Sequence, residues 1–227
     1  MSCLAIFLDR LSARCIKLSL IKFYYFVLFS LKDISFFNKP DYSCLSDIQI
    51  IQKILDWQKD LFEVIVNRYS DKIFRYFYYQ FNFEKDIAEE LVQEVFLKVW
   101  QNLNKFDLTK KFETWLFSIA HNLAIDRIKT WKIWIETKLQ LNNEALEFDN
   151  HDEYKYKLQL LKILLGRLDY KYREVLILYY FDWKSYDEIA EILDTTKNTV
   201  WSWIKRAKDK LKEIIERDSV LKEAIEI

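Results

Sequence analysis

The side chains spaced to do chemistry in this sequence are cations, amides and aromatics gathered on helical faces, and the chemistry they suit is nucleic-acid binding. Between Lys197 and Lys212 stand Lys197, Lys205, Arg206, Lys208, Lys210 and Lys212 against the single anion Asp209. Cations set against phosphates release counterions, which makes such binding salt-dependent. The chain as a whole is neutral, with 35 Lys and Arg against 35 Asp and Glu, so the basic run is a local field that the global sum hides. Further upstream, Ser118, Asn122, Asp126 and Lys129 fall on one side of a helix with Trp115 beside them. An aromatic ring stacks on an unpaired base for roughly 1–3 kcal/mol, and amides read base edges. Periodicity alone would also assign this face to plain solvent.

Catalysis and metal binding find no support in the spacing. There is no nucleophile elbow, phosphate loop or metal-ligand constellation. His121 and His151 are isolated in sequence and read as ordinary polar residues, not ligands or bases. Cys3, Cys15 and Cys44 form no CxxC pair, so neither a zinc site nor a disulfide framework is expected, and a reducing cytoplasm is the default. No cofactor, metal or small-molecule substrate is implied.

The elements that must carry these faces are helices. Gly166 and Pro40 are the only glycine and proline. Hairpins and sheets lean on turn glycines, so the expectation is all-α. In the segment Asp86 to Leu103, Leu91, Val92, Val95, Phe96, Val99 and Trp100 cover one half, while Glu90, Gln93, Glu94 and Gln101 cluster opposite. After the loop Asn104 to Lys111, Leu116, Ala120, Leu123, Ala124 and Trp131 define the inward side of the next helix.

Nearer the C-terminus, Ser185 and Glu188 form a capping box, Asp194 and Thr195 break the helix, and Thr196 can cap the next one. Two short helices with such a turn make a helix-turn-helix, whose second helix enters a major groove. There Val200, Trp203, Ile204, Ala207 and Leu211 face inward, and Asn198, Trp201, Ser202, Lys205 and Arg206 face out.

The chain therefore divides into an extension at 1–52, a helical domain at 53–134, an acidic linker at 135–157, a second helical domain at 158–217 and a tail at 218–227. The linker is marked by Asn142, Asn143, Asp149, Asn150 and Asp152 and by its acidic excess. The extension holds an apolar run, Phe23 to Leu31, after Lys17 and Lys22. It is shorter than the about 20 residues a bilayer span takes, and no small-residue cleavage site follows it. An appended or mis-assigned start, with a true one near Leu45, is the first reading; an interfacial helix and an anchor are the others.

Three segments, Leu91–Trp100, Phe112–Lys129 and Tyr172–Leu193, closely resemble the conserved regions of extracytoplasmic-function sigma factors, in the right order and spacing. The resemblance runs from about Trp57 to Glu216. It implies two helical domains, sigma region 2 and region 4, on a flexible linker, and a protein that gives RNA polymerase promoter specificity without catalysis. It assigns Glu90, Gln93 and Glu94 to the β′ clamp helices of core polymerase, and the front of region 4, Leu168 to Tyr180, to the β flap. It assigns Lys105, Lys110, Lys111, Trp115, Ser118, Asn122, Asp126 and Lys129 to the −10 element, melted and captured as a flipped base. The −35 duplex falls to Lys197, Asn198, Thr199, Trp201, Ser202, Lys205 and Arg206. It further implies an anti-sigma protein wedged between the domains, and a polymerase that fixes their separation so that two weak DNA contacts act at high effective concentration.

The sequence departs from the family pattern in places. Trp201 and Trp203 stand where cations are usual, Asp194 where the turn glycine is usual, and Asp169 where a proline usually opens region 4. Asp194 tolerates a left-handed backbone, and Asp169 can serve as an N-cap. A dimeric helix-turn-helix regulator would explain only the C-terminal half, and a membrane-associated regulator only the apolar run; co-purification with core polymerase and cell fractionation discriminate.

Overall fold

Local signals set where the helices begin. The computed structural model describes residues 42, 44–138, 153–219 and 221–222; the apolar run Phe23 to Leu31 and His151 lie outside them. Ser46 opens α1 (Asp47–Leu55) with a capping box closed by Gln49. After a 3₁₀ turn at Lys59–Leu61 come α2 (Phe62–Gln80) and α3 (Lys85–Asn102). The tight turn between them places Asn82 and Phe83 at φ 54° and 68°. Phe83 is held in that left-handed state by its ring, which packs edge-on against Tyr78 and Tyr79 at 5.0 and 5.3 Å. A further 3₁₀ turn, Leu103–Lys105, leads to α4 (Phe112–Lys138). Ile65, Ile73 and Phe77 from α2, Leu91, Val95 and Val99 from α3, and Leu116, Phe117 and Ala120 from α4 are fully buried.

The second half comprises α5 (Glu153–Gly166), α6 (Tyr170–Leu176), a π turn at Ile177–Phe181, α7 (Tyr186–Ile192) and α8 (Lys197–Arg217). Ser185 and Glu188 form the expected capping box of α7, and the Thr196 hydroxyl accepts the Thr199 amide at the start of α8. Asp194 has φ 48°, the left-handed turn that its position between the helices implied. Asp169 occupies the N-cap position of α6, but its carboxylate caps nothing and accepts the Lys210 ammonium at 2.8 Å. The N-cap role expected of its side chain is thus lost to a cation brought over by α8. Among the described residues all regular structure is helical, and no helix is long and apolar enough to cross a membrane.

Trp183 sits in the turn before α7 at φ 52° with 84% of its surface exposed. A bulky residue in that conformation costs roughly 1–2 kcal/mol, and this one recovers little by packing. Trp183→Gly is expected to stabilise the fold by about 0.5–1 kcal/mol, after allowing for the entropy glycine adds to the unfolded chain. Denaturant midpoints measure it; an unchanged or lower midpoint would mean that the indole is held by contacts its exposure hides.

The two halves pack directly on each other. Glu174 of α6 is 2% exposed and accepts hydrogen bonds from the Tyr76 hydroxyl of α2 and from His121 of α4, the latter at 2.7 Å. Arg173 donates to the carbonyls of Gln80 at 2.7 Å, Leu168 at 3.1 Å and Gly166 at 3.3 Å, tying the end of α2 to the α5–α6 turn. Gly166 packs closely there: a Cβ would stand 2.9 Å from the Asn82 side-chain oxygen, which would have to swing aside. Lys184, 6% exposed, reaches Glu113 of α4 at 2.9 Å and lies over the Phe117 ring. Lys72 of α2 meets the same Glu113 oxygen at 2.8 Å. Burial pushes the Glu113 carboxyl up, but hydrogen bonds from Lys184 and Lys72 outweigh it and hold the carboxyl below its ordinary range.

Candidate nucleic-acid interface

The basic run of the sequence becomes the outer face of α8. Val200, Ile204 and Ala207 are buried against the second half, while Trp203 and Leu211 are half-buried at the edge of that face. Opposite them, Lys197, Asn198, Trp201, Lys205 and Arg206 are exposed. Trp201 retains 55% exposure, with the Lys205 ammonium 5.6 Å from its ring. Thr199 and Ser202 are half-buried: the Thr199 hydroxyl meets that of Thr196, and the Ser202 hydroxyl donates to the Thr199 carbonyl. Lys197 pairs with Asp187 of α7 at 2.8 Å. The five exposed side chains thus form one surface a groove can receive, and the two hydroxyls serve the helix itself.

Of the inward set expected on α4, Leu116, Ala120, Leu123 and Ala124 are buried, and the side chain of Trp131 lies outside those described. Asn122, Asp126 and Lys129 are exposed, and Ser118 is half-buried with its hydroxyl on the Trp115 carbonyl. Trp115 does not stand free: it is half-buried, its ring 5.0 Å from Phe106 and 5.8 Å from Phe112. Those rings fix the indole plane at the mouth of the preceding loop. In that loop Asp107 closes a turn by accepting the Thr109 amide and hydroxyl at 3.0 and 2.8 Å. Lys105 bonds Asn102 at 3.2 Å. Lys110 and Lys111 point to the second half instead, at 3.6 Å from Glu191 and 3.0 Å from Glu188. Burial pushes Glu188 up, yet the Ser185 amide and hydroxyl and the Lys111 ammonium bring it down to about 2.

The outer face of α3 holds Glu90 and Gln93 exposed and Glu94 half-buried, with Glu90 2.6 Å from Arg127 of α4. One reading from sequence needs correction: His121 is not isolated. It bonds Glu174, which lies 53 residues away in the chain. Sequence reasoning also missed Tyr76, Glu113, Glu174 and Lys184. A signal for one of them existed, since Glu174 shares an inward face with the buried Ile177 and Leu178 three and four residues on. Among the described residues no group of three His, Cys, Asp or Glu is placed to hold a metal ion.

Two segments of the chain match family models: residues 65–132 the one described as sigma-70 region 2, and residues 158–211 the one described as sigma-70, region 4. The ECF RNA polymerase sigma factor SigW of Bacillus subtilis (strain 168) is 31% identical over 176 residues, covering 72% of this chain and 93% of the relative. SigM of the same organism is 28% identical over 160 residues, covering 67% and 94%. Among solved structures, CnrH in complex with the cytosolic domain of CnrY has a TM-score of 0.58 at 23% identity, covering 76% of this chain and 98% of that one. The sigma factor RpoE from Bartonella quintana, in complex with the anti-sigma factor NepR, gives 0.56 at 23% identity, covering 69% and 98%. At that identity the two structures speak for the fold, and they agree with the helices and their order. With both regions matched in sequence and SigW aligned along nearly its whole length, the chain belongs to the sigma-70 family of RNA polymerase sigma factors, in its extracytoplasmic-function branch.

Proposed function

We propose that this sigma factor binds core polymerase through Glu90, Gln93 and Glu94 on α3 and reads the −10 element through α4 and the loop before it. The −35 element is read by the outer face of α8. The observation that carries the reading is the exposed row Lys197, Asn198, Trp201, Lys205 and Arg206, set on a helix whose opposite side is buried. Cations along that row neutralise phosphates, and Asn198 can read a base edge in the major groove. The front of the second half, Leu168 to Tyr180, meets the β flap. The protein works in the cytoplasm with polymerase and promoter DNA, is held in check by an anti-sigma protein, and performs no catalysis of its own. Run-off transcription with core polymerase on a genomic fragment library tests this. Discrete start sites that need the added chain are expected, and starts no different from those of core alone would overturn it.

Trp201 gives this surface a particular character. An indole can touch a thymine methyl or a sugar but cannot neutralise a phosphate. Trp201→Lys is expected to change the preferred −35 sequence and to steepen the slope of log affinity against log salt by about one unit. Binding of the polymerase complex to −35 variants across a salt series measures both. If sequence preference and slope were both unchanged, Trp201 would not face the DNA.

A further inference from the structure

An open cleft of about 340 Å³ lies between the end of α1 and the end of α3, lined by none of the residues assigned to polymerase or promoter. Trp57 and Trp100 supply two aromatic rings, Gln101 and Asn104 two exposed amides, and Lys59 the one charge among the described residues that line it. Trp57 is the unusual member. It holds the position just after the cap of α1, at φ 79°. The Gln58 amide bonds the Lys53 carbonyl across it at 3.0 Å, a helix-ending turn whose left-handed residue is usually glycine. A side chain there strains the backbone, and packing does not offset the strain, since 85% of the residue is exposed. Strain kept without packing marks a candidate binding position. Trp100 belongs to the apolar half of α3 yet stays 40% exposed, its ring edge-on against Phe62 at 5.0 Å.

We infer that this cleft is a second nucleobase site, taking one further unpaired base of the melted promoter against Trp57 and Trp100, with its phosphate at Lys59. The inference rests on the −10 assignment of α4 and the loop before it. The two aromatic sites share one stretch of backbone. Leu103 and Asn104 line the cleft, and Phe106, whose amide bonds the Leu103 carbonyl at 3.2 Å, packs on Trp115 at 5.0 Å. A strand that leaves Trp115 needs only a few nucleotides to reach the cleft, at roughly 3.4 Å for each stacked one. An indole accepts any base by its π face, an amide reads a base edge, and an ammonium neutralises a phosphate. The lining holds no carboxylate, so nothing in it repels a polyanion. A partner matched to the carboxylates Glu90 and Glu94 would instead meet a like charge at Lys59. The volume is at the small end for ligand sites, which suits a base and its sugar and is too small for a helix.

The test uses the full chain bound to core polymerase, on promoter DNA carrying a pre-melted bubble whose bases are replaced one at a time by abasic sites. Dissociation constants are measured for wild type, Trp57→Gly, Trp100→Leu and Trp115→Ala. Trp57→Gly removes the indole and relaxes the left-handed backbone, so loss of the ring is separated from loss of the fold. Trp100→Leu is the second variant, keeping an apolar group against Phe62 while removing the plane. One abasic position, distinct from the one coupled to Trp115, is expected to weaken the wild-type complex by about 5- to 150-fold. The same abasic site should cost Trp57→Gly and Trp100→Leu almost nothing further. If every position that weakens wild type weakens these two variants equally, the cleft holds no base and the inference fails. A position coupled to Trp115 in the same scan would then leave the −10 reading standing, whereas coupling to none of the three tryptophans would overturn both. A loss in Trp57→Gly that is equal on all templates, together with lower affinity for core, would make the cleft a polymerase contact and overturn the inference as well.

Discussion

Trp115→Ala is expected to lower open-complex formation by about 5- to 150-fold while leaving affinity for core polymerase unchanged. The range follows from a loss of roughly 1–3 kcal/mol of stacking on one unpaired base. The proposed −10 surface needs a rigid aromatic plane beside exposed polar groups. Trp115 supplies one, because Phe106 and Phe112 hold its ring at 5.0 and 5.8 Å. A base that leaves the duplex gives up stacking worth a few kcal/mol, which a preset plane offsets better than a mobile one. Asn122→Ala removes an exposed amide from the same face and should weaken opening in the same direction, by about tenfold. Permanganate footprinting of the melted region reads the opening, and competition against wild type for core reads the binding. Loss of core binding in either variant would move the polymerase contact from α3 to α4 and undo the division of faces.

The stability of the protein is expected to fall as pH rises from about 4 to about 7, and Asp182→Asn to abolish most of that fall. Both carboxylate oxygens of Asp182 are buried without a hydrogen-bond partner. Burial pushes the carboxyl up to about 7; Lys184, Arg75 and Lys72 pull it down, and Glu113 adds to the push. In the unfolded chain the same group titrates near about 3.9. Between those values the folded chain holds a proton that the unfolded chain has released, so stability drops with rising pH and levels off above about 7. Asparagine is neutral at every pH but leaves a buried amide in need of partners, which costs about 1–3 kcal/mol. The net expectation is a variant more stable than wild type by about 1–2 kcal/mol at pH 8, with little or no advantage at pH 5. Thermal midpoints at the two pH values measure it, with a shift of about 2–4 °C per kcal/mol for a chain of this size. Parallel behaviour of wild type and variant across that range would mean that Asp182 reaches water.

Much of this molecule was legible before its structure. A chain with one glycine and one proline had little means of turning hairpins, and among its described residues all regular structure is helical. The capping residues Ser185 and Thr196 act through atoms within three positions of themselves, so local sequence was enough to place them. The faces of α3, α4 and α8 followed from a 3.6-residue period, which sorts side chains inward and outward whatever the helix packs on; Trp100, placed on the apolar half of α3, is the departure, exposed at the end of the helix. Asp169 shows where that logic stops: its local position offered a cap, and a lysine 41 residues away took the carboxylate instead.

What the sequence by itself determined, then, was the helices, their caps, the outward basic row of α8 and the family those segments belong to. Each depends on neighbours within about a turn of helix or on the linear order of segments. Only the tertiary structure decided that the two halves meet. Tyr76 and Glu174 are 98 residues apart, and Lys111 and Glu188 77; no period or spacing links such pairs. A buried carboxylate or ammonium reads in sequence as an ordinary surface charge, because its partner is supplied by another element and its dehydration by the packing around it. Two lysines of the loop that resemblance offered to DNA, Lys110 and Lys111, are, in the folded chain, already held by carboxylates of its own second half.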